Sequence, residues 1–174
     1  VAHGLGIKNT INGKGGVRQA LGNQYSSWEE AKADILGLYM VCSLIDKGEI
    51  TSITKEDAVT TFIAGILRSV RFGAASAHGV ANMMCFNYFE DNKAFAKNTE
   101  GIYTINYENA FKTIDSWAAM ILEVEGTGDI VRAENYSKKN GQIRPSLQET
   151  LDVINGKNIP KDIRYEQGKK VLGL

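Results

Sequence analysis

The sequence of 174 residues is poor in the residue types that usually indicate a metal site or a disulfide framework. It contains two cysteines, two histidines and two prolines, and its 20 basic side chains are balanced by 20 acidic ones. Cysteines and histidines so few and so scattered supply no obvious Cys/His zinc cluster. Composition taken alone therefore argues against a metal enzyme.

The lack of net charge and of long apolar runs excludes two classes of partner. Without an excess of either sign, the chain has no general attraction for nucleic acid or an anionic membrane, and no basic patch is evident. No segment approaches the ~18 apolar residues of a membrane-spanning helix. We therefore expect a soluble protein with no nucleic-acid or membrane partner. Cys42 and Cys85 lie in apolar stretches and are predicted to be buried thiols, which favours a reducing, cytoplasmic compartment.

Capping residues and apolar periodicity predict a mainly α-helical fold of about six helices. The predicted spans are roughly 27–47, 54–72, 76–90, 107–125, 129–139 and 146–154. The stretch 102–106 has strand propensity and is predicted to form a short element rather than a sheet. Positions 35–42 of the first helix are all apolar or glycine, so this helix is expected in the interior.

Three acidic residues stand at the start of that first predicted helix. Glu30 and Asp34 are four residues apart and share one helix face, and Glu29 is adjacent. Carboxylates entering a buried helix need a positive partner, because an unpaired one costs several kcal/mol. Lys32 is expected to point away from Glu30, whereas a metal ion with histidine ligands would be an adequate partner. The competing explanation is that the helix dipole favours acids in a first turn whatever the function.

The first histidine stands almost at the start of the sequence. The chain opens Val1-Ala2-His3-Gly4-Leu5-Gly6 without an initiator Met, and we expect a trimmed start or a fragment. An H-E-x-x-H zinc helix would supply this segment if the two residues before Val1 were His and Glu. In that motif two histidines bind one metal, and the Glu between them acts as general base on the bound water. Taken alone, a terminal His before glycines is more often simply exposed.

These residues resemble the dipeptidyl peptidase III metallopeptidases, particularly the branch that in plants is fused to a nudix domain. The resemblance covers residues 1 to about 95 and fades beyond them. It rests on the blocks Ala2-His3-Gly4-Leu5-Gly6, Val17-Arg18, Glu29-Glu30-Ala31-Lys32-Ala33-Asp34 with Ile35-Leu36-Gly37-Leu38 behind it, Ser69-Val70-Arg71-Phe72-Gly73 and Ala77-His78-Gly79. The acid block is the most specific, since the family's second motif is two acids, a small residue, a basic residue, a small residue and an acid.

The resemblance implies a role for each matching residue. His3 is similar to the second histidine ligand of a catalytic zinc and Glu30 to its third protein ligand. Glu29 and Asp34 resemble the acids that orient the ligand histidines and raise their basicity. His78 resembles the histidine outside the zinc shell that meets the substrate and helps to stabilise the tetrahedral transition state. Without the resemblance, a His that begins an apolar helix is more often a capping or buried residue.

The resemblance further implies that residues 1–174 are the C-terminal part of the helical catalytic lobe of a larger, two-lobed zinc peptidase, truncated inside its HExxH-type motif. The first His ligand and the general-base Glu are not in the sequence, so we expect the chain alone to be inactive and to hold Zn²⁺ weakly or not at all. The implied partners are a peptide substrate, cleaved near its free N-terminus, and the missing N-terminal part of the same protein. The sequence leaves open the length of the motif and the presence of a nudix domain.

The sequence leaves two other functions open. The chain has no complete site, so it could be a non-catalytic helical interaction module or an inactive relative. Nucleotide binding at Asn12-Gly13-Lys14-Gly15-Gly16 is the weaker alternative. Its spacing fits neither G-x-x-x-x-G-K-[ST] nor G-x-G-x-x-G, and no predicted strand precedes it.

Overall fold

The computed structural model describes residues 1–162, 165–171 and 173, and most of them are helical. These residues form one short and six longer α-helices, three single 3-10 turns and one small two-stranded hairpin. The elements are α1 (Val17–Leu21), α2 (Tyr25–Asp46), α3 (Lys55–Ser69), α4 (Ala77–Asp91), β1 (Phe95–Lys97), β2 (Tyr103–Ile105), α5 (Tyr107–Thr127), α6 (Ile130–Asn140) and α7 (Pro145–Gly156). The mainly α fold and its six longer helices are as predicted.

Three helices begin where the sequence places a capping residue. The side chains of Thr54, Ser76 and Asp129 each accept a hydrogen bond from the backbone N–H three residues later. At Thr54 the capping box is complete, because the Asp57 side chain also accepts from the Thr54 backbone N–H. These starts were predictable because a cap depends only on neighbours in sequence.

The predicted start of α2 at Ser27 is wrong. The helix begins at Tyr25, and Ser27 lies in its first turn, where its hydroxyl bonds to the Gln24 carbonyl. The unpredicted helix α1 comes shortly before it and buries its two apolar ends in the core. No acid lies in the first turn of α2. The helix dipole, which acts mainly within the first turn, therefore does not account for Glu29 and Glu30.

The predicted strand is one half of a hairpin. β2 pairs with β1 in antiparallel register, with Phe95 opposite Ile105 and Lys97 opposite Tyr103. The prediction of an element outside any sheet is therefore wrong, although the sheet has only two strands. The sequence does not predict β1, because three residues are too few to show the alternation of apolar and polar residues that is typical of a strand. Phe95 is buried and packs against Phe86 of α4 with the rings tilted and their centroids 4.7 Å apart.

The core lies where α2, α4, α5 and α6 meet. Trp28 and Trp117 are fully buried with ring centroids 6.1 Å apart, and the Tyr136 ring lies within 6 Å of both. The interior position predicted for α2 holds as far as Leu38, because Tyr39 and Leu44 farther along are exposed. The acidic cluster belongs to this buried part.

The glycine-rich loop caps a helix. The backbone N–H of Ile11, the Asn12 side chain and the Lys14 ammonium donate in turn to the three successive carbonyls of Gly126 to Gly128, where α5 ends. Since the last carbonyls of a helix lack partners within it, the loop satisfies groups that would otherwise be unpaired. Lys14 is thus engaged with α5, which gives this loop a structural use that needs no nucleotide.

Cys42 and Cys85 are free thiols. Cys85 is buried as predicted, whereas Cys42 is only half-buried. Burial raises the pKa of both thiols. Among the residues that the structure describes, no helix has the length and apolar character needed to cross a membrane.

Candidate metal centre

His3 lies against the acidic turn of α2. It is the middle residue of a single 3-10 turn, Ala2–Gly4, that packs on this helix. Its Nδ1 lies 3.1 Å from Oε1 of Glu29, and its Nε2 lies 3.5 Å from Oε2 of Glu30. The structure therefore brings together three of the residues singled out in the sequence.

The two carboxylates meet different nitrogens of the imidazole. An ionised carboxylate can only accept hydrogen bonds, so the contact with Glu29 requires a proton on Nδ1 of His3. In the neutral ring this leaves the lone pair on Nε2, the nitrogen that faces Glu30. Glu29 thus selects the tautomer in which His3 can act as a ligand through Nε2.

The spacing and chemistry of these donors fit a zinc ion. Two donors that each lie about 2.05 Å from one tetrahedral zinc are roughly 3.3 Å apart. The 3.5 Å between His3 Nε2 and Glu30 Oε2 is close to that value. A ligand histidine that donates its other N–H to a carboxylate is also the usual arrangement at zinc. Within the described ranges, no group of three or more His, Cys, Asp or Glu side chains is arranged to hold a metal. His3 and Glu30 by themselves offer two candidate donors.

His78 reaches the same carboxylate from another helix. It lies in the first turn of α4, and its Nδ1 is 3.3 Å from Oε2 of Glu30. Its side chain is two-thirds exposed, at 67%. Two features fix this turn, the Ser76 cap and the absence of a side chain at Gly79, where a Cβ would lie 2.6 Å from Cα of Ala74. His78 is therefore well placed to contact a molecule bound at Glu30.

Asp34 lies one turn beyond Glu30 on the same face of α2. It has no hydrogen bond or ion pair with any residue that the structure describes, although it is half-buried. Burial raises the pKa of Asp34; the charge of Glu30 raises it further, while His78 and His3 lower it. Beside the site there is thus a carboxylate free to accept a further N–H.

Lys32 is part of this cluster, contrary to the expectation that it points away. It is buried, and its Nζ lies 2.8 Å from Oε2 of Glu29. Burial acts to lower the pKa of Lys32, but its hydrogen bond to Glu29 and the charges of Glu125 and Glu29 raise it overall. The expectation considered only the spacing of Lys32 from Glu30. The i,i+3 spacing of Lys32 from Glu29 was the sequence signal for the contact between these two side chains.

Glu125 of α5 completes the cluster. Its side chain is only 3% exposed, and its Oε2 lies 3.6 Å from Nζ of Lys32. Its Oε1 has no hydrogen-bond partner in the part of the chain that the structure describes. Burial raises the pKa of Glu125 to about 7, against the opposing charge of Lys32. No local pattern in the sequence predicts this residue, because only the packing of α5 on α2 brings it here.

The chain is similar to two solved structures over almost its whole length. One is dipeptidyl peptidase III from Caldithrix abyssi, at 31% identity and a TM-score of 0.87, with 93% of this chain and 31% of that chain covered. The other is dipeptidyl peptidase III from Corallococcus sp. strain EGB, at 36% identity and a TM-score of 0.86, with 93% and 30% covered. The chain is related in sequence and in fold to dipeptidyl peptidase III. The resemblance inferred from the acid block and its companions is confirmed. The expectation that it fades beyond about residue 95 is wrong, because the similarity extends over 93% of the chain.

A curated plant protein is similar as well. Nudix hydrolase 3 of Arabidopsis thaliana is 33% identical over 165 residues, which are 92% of this chain and 21% of that protein. This agrees with the expected likeness to the nudix-fused branch. No protein-family model matches the chain. The chain spans about a fifth of this plant relative and less than a third of each solved structure.

Proposed function

We propose that residues 1–174 are the C-terminal part of the catalytic lobe of a zinc-dependent dipeptidyl peptidase of two lobes. In this proposal His3 and Glu30 hold the zinc, and the longer protein supplies the other histidine and the general-base Glu just before Val1. The observation that carries it is the position of His3, with Nδ1 on Glu29 and Nε2 3.5 Å from Glu30 Oε2. The similarity to dipeptidyl peptidase III supports the reaction class.

Zinc at this place would activate a water molecule and polarise the peptide carbonyl that the water attacks. Glu29 holds the His3 ring in the orientation and tautomer that a ligand needs. Asp34, which lacks a partner among the described residues, is placed to accept the far N–H of the second ligand histidine. A carboxylate in that role raises the basicity of the imidazole and keeps it in place.

His78 would act on the substrate. Its exposed imidazole stands within 3.3 Å of Glu30, so a peptide bound at the zinc would lie beside it. A positioned N–H donor stabilises the negative charge that develops on the carbonyl oxygen in the transition state. The substrate in this proposal is a peptide with a free N-terminus, and the place of action is the cytoplasm.

The proposal is tested with the longer natural protein, incubated with peptides that have a free or an acetylated N-terminus. Mass spectrometry should detect dipeptides released from the free peptides only. Chelation should abolish the release and added zinc should restore it, while the 174-residue chain should release none. Release that survives removal of zinc, or no release by the zinc-loaded protein, would overturn the proposal. The second result would favour an inactive relative or interaction module.

A further inference from the structure

A buried ion pair stands behind the acids that meet His3. The Lys32 side chain is 4% exposed and that of Glu125 3% exposed, and they belong to different helices, α2 and α5. Lys32 donates to Oε2 of Glu29 at 2.8 Å and lies 3.6 Å from Oε2 of Glu125. The two acids thus share a single buried cation.

Such an arrangement is costly for stability alone. Removing charges from water carries a desolvation penalty that their mutual attraction often fails to repay. Glu125 also leaves Oε1 without a hydrogen-bond partner among the described residues, and an unsatisfied buried oxygen adds to the cost. An apolar pair of similar volume would stabilise the contact between α2 and α5 at least as well.

The geometry gives the pair a use at the site. Glu29 has one oxygen on Lys32 and the other on Nδ1 of His3. A carboxylate anchored through one oxygen presents the other in one fixed direction. Glu125 in turn holds the ammonium group from the side of α5, whose C-terminus is tied to the loop that follows His3. A chain of contacts therefore runs from α5 to the imidazole.

We propose that Lys32 and Glu125 are positioning residues for His3, which they act on through Glu29. They keep the Glu29 carboxylate where it holds the proton on Nδ1 and directs Nε2 toward Glu30. The functional reason for positioning His3 rests on its proposed role as a zinc ligand. The contacts that position it are formed without the metal. Neither residue touches the metal or the substrate.

The test is the tautomer of His3 in the metal-free 174-residue chain, measured by ¹⁵N NMR at about pH 8.5, where histidines are generally neutral. Wild-type His3 should be mainly protonated on Nδ1. The Nδ1-protonated fraction should fall about twofold or more in Lys32→Met and in Glu29→Gln, because the carboxylate that fixes the tautomer is then displaced or made neutral. Glu125→Gln should give a smaller fall, since a neutral amide holds the ammonium more weakly.

Two matched variants serve as controls. Lys112→Met makes the same chemical change at an exposed lysine of α5, and Ile121→Val weakens the core one turn before Glu125. Both should leave the His3 tautomer unchanged, although the second lowers the unfolding temperature. If Lys32 only stabilised the fold, Lys32→Met would, like Ile121→Val, lower the unfolding temperature and leave the His3 tautomer unchanged.

The inference is overturned if Glu125→Gln and Lys32→Met both leave the His3 tautomer as in the wild type. If Lys32→Met does not fold, Glu125→Gln, which keeps the volume of the side chain, decides alone. The outcome is independent of catalysis. A longer protein that binds no zinc would overturn the proposed function and leave the NMR result standing.

Discussion

Nδ1 of His78 lies 3.3 Å from Oε2 of Glu30, although the two residues belong to different helices. The same oxygen faces Nε2 of His3 from 3.5 Å. Glu30 is thus the point at which the start of the chain, α2 and α4 converge. Its neighbours Glu29 and Asp34 lie on the same part of α2, so the carboxylates of this helix meet two histidines from other parts of the chain.

Substitution of His78 by Ala in the longer protein should slow catalysis without releasing the metal. Loss of one donor to a developing oxyanion typically lowers kcat about 100-fold or more. We expect a loss of that size with zinc affinity unchanged within about twofold, because His78 lies outside the proposed ligand set. Steady-state kinetics and calorimetry measure the two effects. A loss of zinc affinity as large as that caused by Glu30→Gln would place His78 among the ligands instead.

Asp34→Asn should have opposite effects on stability and on metal binding. Burial raises the pKa of Asp34, so its charge is costly in the folded protein and its neutral isostere should raise the free energy of unfolding at neutral pH. If Asp34 orients a ligand histidine, zinc affinity of the longer protein should fall about 10- to 100-fold. Urea unfolding and zinc titration check the two parts. Unchanged zinc affinity would remove Asp34 from the proposed site.

Glu125 should make stability depend on pH. Its pKa is raised to about 7 in the folded chain from an ordinary 4.5, so the folded state holds the proton more tightly than the unfolded state. The contribution of Glu125 to stability therefore falls as pH rises from about 4.5 to about 7, by about 3 kcal/mol at most. The difference in unfolding free energy between the wild type and Glu125→Gln should follow this trend. The charged groups facing Glu125 are Lys32 and Glu29.

Glu108→Gln provides the comparison for that pH series. Glu108 is exposed on the same helix, and its hydrogen bond with Lys112 lowers its pKa. Its contribution to stability is therefore present above its unfolded pKa and is lost only as the medium becomes more acidic. Between about pH 4.5 and 7 the difference from the wild type should be nearly flat. A trend like that of Glu125 would show that the pH dependence arises elsewhere.

Gly79→Ala should destabilise the fold and disturb His78. A Cβ at this position would lie 2.6 Å from Cα of Ala74 and 2.7 Å from the carbonyl oxygen of Gly73, both of them backbone atoms. We expect a loss of about 1–3 kcal/mol in chemical denaturation. Gly65→Ala in α3 is the control, because its Cβ meets nothing within 4 Å and should stabilise the helix by up to about 1 kcal/mol. Equal effects of the two substitutions would contradict the close packing at Gly79.

Much of the fold was predictable because its signals are local. The caps at Thr54, Ser76 and Asp129 depend on residues within one turn, and each is found in the structure. The start of α2 was misplaced because Ser27 has the spacing of a cap, whereas the buried residues of α1 determine where the chain enters the helix.

The site was predictable to the extent that it lies on one helix or matches a family block. The acids of α2 and the two histidines came from such patterns, and the structure brings them together. Glu125 was not predictable, because its contact with Lys32 depends on how α5 packs against α2. Its role in the site could be inferred only from the assembled fold.

The most direct test of the central claim is a calorimetric zinc titration of the longer protein and its Glu30→Gln variant. The account predicts tight binding of one zinc by the wild type and a loss of more than about 100-fold in the variant, since a ligand is removed. Glu108→Gln should bind as the wild type does. Wild-type affinity in Glu30→Gln, or no zinc binding by the wild type, would contradict the claim that His3 and Glu30 hold the metal.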